Sequence, residues 1–150
     1  MRYIMLSLLL CSCMVAQENS QPLGYLPFEP YVDAAFADIV NEFEDDYHKY
    51  TGDIIEIRLP INFVDIPNPN YIGLCWFNNG GVKIPHIQID RSKWELMSDW
   101  RRKAVLYHEL GHCVLGRRHT NNKNSLMQPT VIRGKVFEFH EDTLLKELFQ

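Results

Sequence analysis

The sequence predicts a one-domain α+β fold, a small mixed sheet packed against a long N-terminal helix, a second long helix and a closing helix. Three patterns carry that expectation: apolar residues recur at helical spacing from Val32 to Tyr50, alternate with polar ones from Ile55 to Phe63, and return to helical spacing between Ser92 and Val114. The chain has 150 residues, 46% hydrophobic and 23% charged, which suits one domain and excludes low-complexity disorder and collagen-like repeats. Its formal net charge is -4, from 15 Lys plus Arg against 19 Asp plus Glu. That balance gives no electrostatic footprint for nucleic acid or an anionic membrane surface, so a basic cluster such as Arg101-Arg102-Lys103 has to be read locally.

The first sixteen residues read as an export signal and stand outside the fold. Arg2 precedes the apolar run Tyr3 to Leu10, too short to span a bilayer but suited to a signal-peptide core. Two exits are open. Leu10-Cys11-Ser12-Cys13 resembles a bacterial lipobox, which puts a lipid and a membrane attachment on Cys13; Met14-Val15-Ala16 offers an ordinary cleavage site before Gln17. The lipobox is the favoured exit, and the expected location is the cell envelope, as a lipoprotein or a secreted protein. Residues 17–29, with Pro22 and Pro27, form a tether, and residues 30–150 form the folded domain. With Cys11 and Cys13 in the export segment, only Cys75 and Cys113 remain. They are expected as buried free thiols, because one falls in a strand and the other in a helix.

In chain order, Pro30 suits a first helical turn; Val32, Phe36, Ile39, Val40, Phe43, Tyr47 and Tyr50 form the apolar stripe, and Gly52 ends the helix. A strand follows from Ile55 to Phe63, in which Pro60 argues for an edge or a bulge. Tyr71 to Phe77 is a second strand, Asn78-Asn79-Gly80-Gly81 a hairpin turn, and Val82 to Asp90 a returning strand expected at an edge because it carries Pro85. Helical character resumes between Ser92 and Ser98 and stops at Gly116. An irregular polar stretch, Arg117 to Asn124, leads to an apolar knot at Leu126-Met127, and a closing helix runs from about Glu141 to Phe149. Trp76, Trp94 and Trp100 are expected in the core. His48 and His140 are expected as exposed or capping side chains, and His86 lacks evident partners for a metal.

The second long helix contains His108-Glu109-Leu110-Gly111-His112. Histidines four apart project from one helical face, so both imidazoles can meet one Zn²⁺, while Glu109 can reach a water on that ion as general base. A catalytic zinc site needs a third protein ligand and an open position. Gly116 allows the chain to turn back and bring His119 to that place. A downstream carboxylate, from Glu138, Glu141 or Asp142, is the rival third ligand.

With Met127 eight residues beyond His119, inside Ser125-Leu126-Met127-Gln128-Pro129, the chain resembles the metzincin metalloproteases, and most closely their matrixin branch. It departs from the family pattern by one residue, since Gly116 and His119 follow His112 at intervals of four and seven rather than three and six. The resemblance implies a metzincin-like fold from about Pro30 to Phe149, making residues 30–150 a metalloprotease catalytic domain. It implies zinc held by His108, His112 and His119, a structural turn in which Met127 packs beneath the imidazoles, and a pocket wall from Gln128 to Val131. It further implies a protein or peptide substrate bound by strand addition along the edge strand, here expected at Ile84 to Asp90. The expected enzyme is a monomeric zinc endopeptidase with no nucleic-acid partner. No latency cysteine lies between the export site and the first helix, so no proteolytic activation is expected. The alternative from another class is a non-catalytic zinc-stabilised module that captures peptides at the cell surface.

Overall fold

The computed structural model describes residues 32–77, 85–130, 132 and 134–150, which form a small α+β fold of four helices and a three-stranded mixed sheet. The export segment, the tether and the Asn78–Gly81 turn lie outside the described residues. A 3-10 turn (Ala34–Phe36), capped by Asp33 through Ala35 N, leads into α1 (Ala37–Thr51). The helix stops where sequence predicts: Gly52 takes a φ of 81° and donates its N–H to the His48 carbonyl. His48 Nδ1 meets the Asp53 carbonyl oxygen at 3.2 Å, a capping role.

The predicted first strand is shorter than its alternation suggests, with β1 spanning only Ile61–Val64. The Ile57 N–H, a ladder donor in a longer strand, is instead taken by the Glu44 carboxylate of α1 at 2.6 Å. Ile57 and Leu59 are still buried, so the period-two pattern recorded burial of an extended segment rather than pairing. Pairing begins at Pro60, whose carbonyl accepts from Ile87 N.

Strand β2 spans Gly73–Trp76 and β3 His86–Asp90, in the order β1-β3-β2, with β1 parallel and β2 antiparallel to β3. The strand expected at the edge is therefore the central one. Pro85 precedes the ladder and leaves both sides of β3 free to pair. The edges are β1 and β2. Asp90 closes β3: its carboxylate accepts from Ser92 Oγ, Lys93 N, Ile66 N and Lys93 Nζ, and those bonds, Ser92's first, hold it well below the usual carboxylate range.

The helical character expected to resume between Ser92 and Ser98 takes the form of two helices, α2 (Arg91–Glu95) and α3 (Asp99–Cys113), the second started by the Ser98 carbonyl, which accepts from the N–H groups of Arg101 and Arg102. The closing helix α4 spans Gly134–Phe149 and kinks at His140 (φ −129°, ψ 16°); the predicted segment from Glu141 is its second half. The core is built from Phe36 of the 3-10 turn, Phe43 of α1, Ile61, Ile87 and Ile89 of the sheet, Leu106, Tyr107 and Leu110 of α3, and Leu144 and Leu148 of α4. Trp94 is buried against Phe36 as expected, but Trp76 is 44% exposed, because it ends an edge strand and stacks on His86 instead of entering the core.

Candidate metal centre

Helical spacing on α3 places His108 and His112 on one face, and the fold fixes their tautomers. His108 Nδ1 lies 2.6 Å from the Leu126 carbonyl oxygen and His112 Nδ1 lies 2.7 Å from that of Arg117. A carbonyl oxygen only accepts, so each Nδ1 carries the proton and each Nε2 presents its lone pair to the space between them. Burial is the largest influence on both rings and lowers their pKa, to about 4 for His108, so both are neutral at pH 7.

The extra residue between His112 and His119 is absorbed by widening the end of the helix. Val114 N bonds the Leu110 carbonyl in the ordinary way, Leu115 N reaches the same carbonyl at 3.4 Å, and Arg117 N reaches back six residues to that of Gly111 at 2.9 Å. Gly116 makes the turn possible with a φ of 64°. Arg117 Nη2 anchors the loop by donating to the Glu147 carbonyl of α4, and Thr120 N donates to the Met127 carbonyl.

His119 thereby joins the pair. Its Nε2 lies 3.2 Å from that of His108, which lies 3.1 Å from that of His112. Nitrogens bound at 2.0–2.1 Å around a tetrahedral ion sit about 3.3 Å apart, so the spacing fits ligands of one metal. The three histidines could hold a metal ion, and among the described residues no carboxylate belongs to the group. Glu141 pairs with Lys103, and Asp142 with Tyr50 and Lys49.

Glu109, next to His108 in sequence, turns toward β2. It is 7% exposed, and burial pushes its carboxyl up to about 7 against the opposing hydrogen bond from Cys75 N. A Cβ at Gly73 would stand 2.8 Å from both Cγ and Oε1 of Glu109, so the absence of a side chain there makes room for the carboxyl. Below the helix, Met127 is buried with its Sδ against Gly111, where a Cβ would be only 2.6 Å away. Ser125 shapes that turn by accepting from Met127 N and donating to Glu147 Oε1.

Cys75 and Cys113 are not free thiols but a disulfide, with Cα atoms 5.6 Å apart. Strand and helix assignments separate them in sequence, whereas β2 lies directly along α3. The bond ties the edge strand to the residue after His112. Between α3 and β2 runs a cleft of about 640 Å³, lined by the three histidines and Glu109 and extending past Ile72, Pro129, Thr130 and Ile132. Gly73 and the Cys75 N–H are site features that the sequence reading did not identify; a glycine inside a strand, which often marks a close approach, was the signal for the first.

The chain matches no known protein family, no characterised protein and no solved structure.

Proposed function

We propose that this protein is an exported, zinc-dependent endopeptidase with a metzincin-like catalytic domain, His108, His112 and His119 holding the metal and Glu109 serving as general base. One observation carries the reading: three imidazole Nε2 atoms converge beside a buried carboxyl on one wall of a cleft whose other wall is a sheet edge. Zinc bound there would supply a water activated near neutral pH and a Lewis acid for the peptide carbonyl.

The chain's own residues supply the rest. Strand β2, paired only with β3 among the described residues, lays an extended substrate along the cleft by strand addition. The strand expected in that role, β3, pairs on both sides and offers no free edge. Glu109, poised near neutrality by burial, takes a proton from the attacking water and delivers it to the departing amine. The Leu126 and Arg117 carbonyls keep two ligands in the required tautomer, and Met127 supports the helix beneath them. The Cys75–Cys113 disulfide supports the expected export, since such bonds persist in oxidising compartments.

The test compares wild type with Glu109→Gln for bound zinc and for cleavage of a mixed peptide library. The variant is expected to keep zinc and lose cleavage by roughly 10³-fold. Wild-type cleavage in the variant contradicts the mechanism, and peptide binding without cleavage by the wild type replaces it with the capture module.

A further inference from the structure

The basic run Arg101-Arg102-Lys103 divides in the structure. Arg102 is engaged by the Trp94 and Glu95 carbonyls and by Asp99. Lys103 is held by Glu42, Asp46 and Glu141. Arg101 forms no side-chain hydrogen bond or ion pair among the described residues, and it lines the same cleft as the histidines.

Its position along the cleft follows from two fixed points. Cys75 is bonded to Cys113, and Gly73 lies against Glu109, so two residues back along β2 correspond to four back along α3. Before Gly73 the chain turns, and Pro69, Asn70 and Tyr71 of that turn line the same cleft as Arg101 and Val105. Arg101 precedes His108 by seven residues, which puts it within ~20° of the same helical face and ~10.5 Å along the axis. Ala104 lies between them on the helix, and Ile72, Pro129, Thr130 and Ile132 also line the cleft. Among the described residues, Arg101 is the one basic side chain besides the histidines that lines the cleft.

We infer that Arg101 is a specificity-determining residue that selects substrates presenting a carboxylate to this end of the cleft. The inference rests on the peptidase reading for its assignment to the residue after the scissile bond. A planar guanidinium suits two-point pairing with a carboxylate, which a neutral isostere cannot match in charge. The carboxylate can come from an Asp or Glu side chain or from a free C-terminus close beyond the cut.

The test uses octapeptide pools with a fixed Glu, Gln or Lys at the fifth position, each with a free or an amidated C-terminus. Cleavage by wild type and Arg101→Ala is read by mass spectrometry, and retention of each pool is measured on immobilised, zinc-loaded Glu109→Gln protein with and without Arg101→Ala. A preference of about tenfold for Glu over Gln, or for free over amidated ends, that disappears in Arg101→Ala supports the inference and identifies the source. Arg101→Glu is expected to reverse it toward Lys. Cleavage of all pools without preference overturns the role of Arg101 and leaves the peptidase standing. Preferential retention without cleavage by wild type overturns the peptidase and leaves carboxylate recognition standing. An absence of preference in both retention and cleavage overturns the inference.

Discussion

Toward α1 and α4, helix α3 presents Lys103 and Tyr107, and the fold itself answers them: Lys103 Nζ meets Glu42, Asp46 and Glu141, and Tyr107 O–H donates to Asp46 at 2.8 Å. Toward the cleft the same helix presents His108, His112 and Glu109, which the described residues hold from behind, through the Leu126 and Arg117 carbonyls and the Cys75 N–H. The difference teaches where stability and function separate on one element. Polar groups closed by the chain secure helix packing, whereas groups fixed on one side and open on the other are arranged for something that binds.

The largest expected effect is on the open face. His119→Ala should lower zinc affinity at least ~100-fold, because it removes a ligand rather than an outer-shell partner, while leaving the metal-free protein's melting temperature unchanged. Measuring zinc by competition with a chelator and melting without metal separates these outcomes. Full retention of tight zinc would erase the distinction between the faces by making His119 a solvated loop residue. In wild type, chelation should lower the melting temperature, since binding to the folded state alone stabilises it.

The disulfide joins the cleft's two walls across a sequence separation of 38, a loop whose loss by Cys75→Ala with Cys113→Ala should cost roughly 4 kcal/mol. Cleavage should fall as well, because β2 also carries the N–H that meets Glu109. Denaturant unfolding and cleavage assays on the double variant check both effects. On the closed face, Lys103→Met should cost roughly 2 kcal/mol, below the range for a fully buried pair because Glu42 and Glu141 are partly exposed, and Tyr107→Phe about 1 kcal/mol. Both should leave catalytic rates per folded molecule unchanged. A loss of rate without a loss of stability would show that the faces are coupled.

The smallest effect is a slope. In metal-free protein, Glu109 has its pKa raised to about 7, so its folded form binds more protons than the unfolded chain and stability falls as pH rises from about 4.5 to 7. His108, lowered to about 4, works the other way, with stability rising between about 4 and 6.5, and His112 adds in the same direction. Metal-free Glu109→Gln should therefore gain stability with pH more steeply than wild type over this window, as measured by melting. An unchanged slope would show that Glu109 does not titrate as its burial demands.

Local pattern made part of this molecule legible. The stripe from Ile39 to Tyr50 and the glycine at 52 located α1, although Val32, expected in the same helix, bridges Ile61 and α1 starts only at Ala37; the four-residue spacing of His108 and His112 located a face that could hold a metal, and both signals depend on neighbouring residues alone. What sequence concealed was pairing. Alternation from Ile55 to Phe63 records which side chains are buried but not which N–H groups find a strand, and Glu44 took the one at Ile57. Likewise Pro85 suggested an edge without revealing that β3 pairs on both sides, and nothing local tells Cys75 that Cys113 lies opposite. The one-residue departure before His119 was visible as a count, while its accommodation required a widened helix end anchored by α4.

The central claim is that three imidazoles hold one ion and leave a side open to the cleft. X-ray absorption at the zinc edge of the purified protein tests it most directly: the account predicts one zinc per chain with three imidazole nitrogens at about 2.0–2.1 Å and one light, exchangeable ligand. A shell closed by a fourth protein ligand, or a spectrum unchanged by His119→Ala, would contradict it.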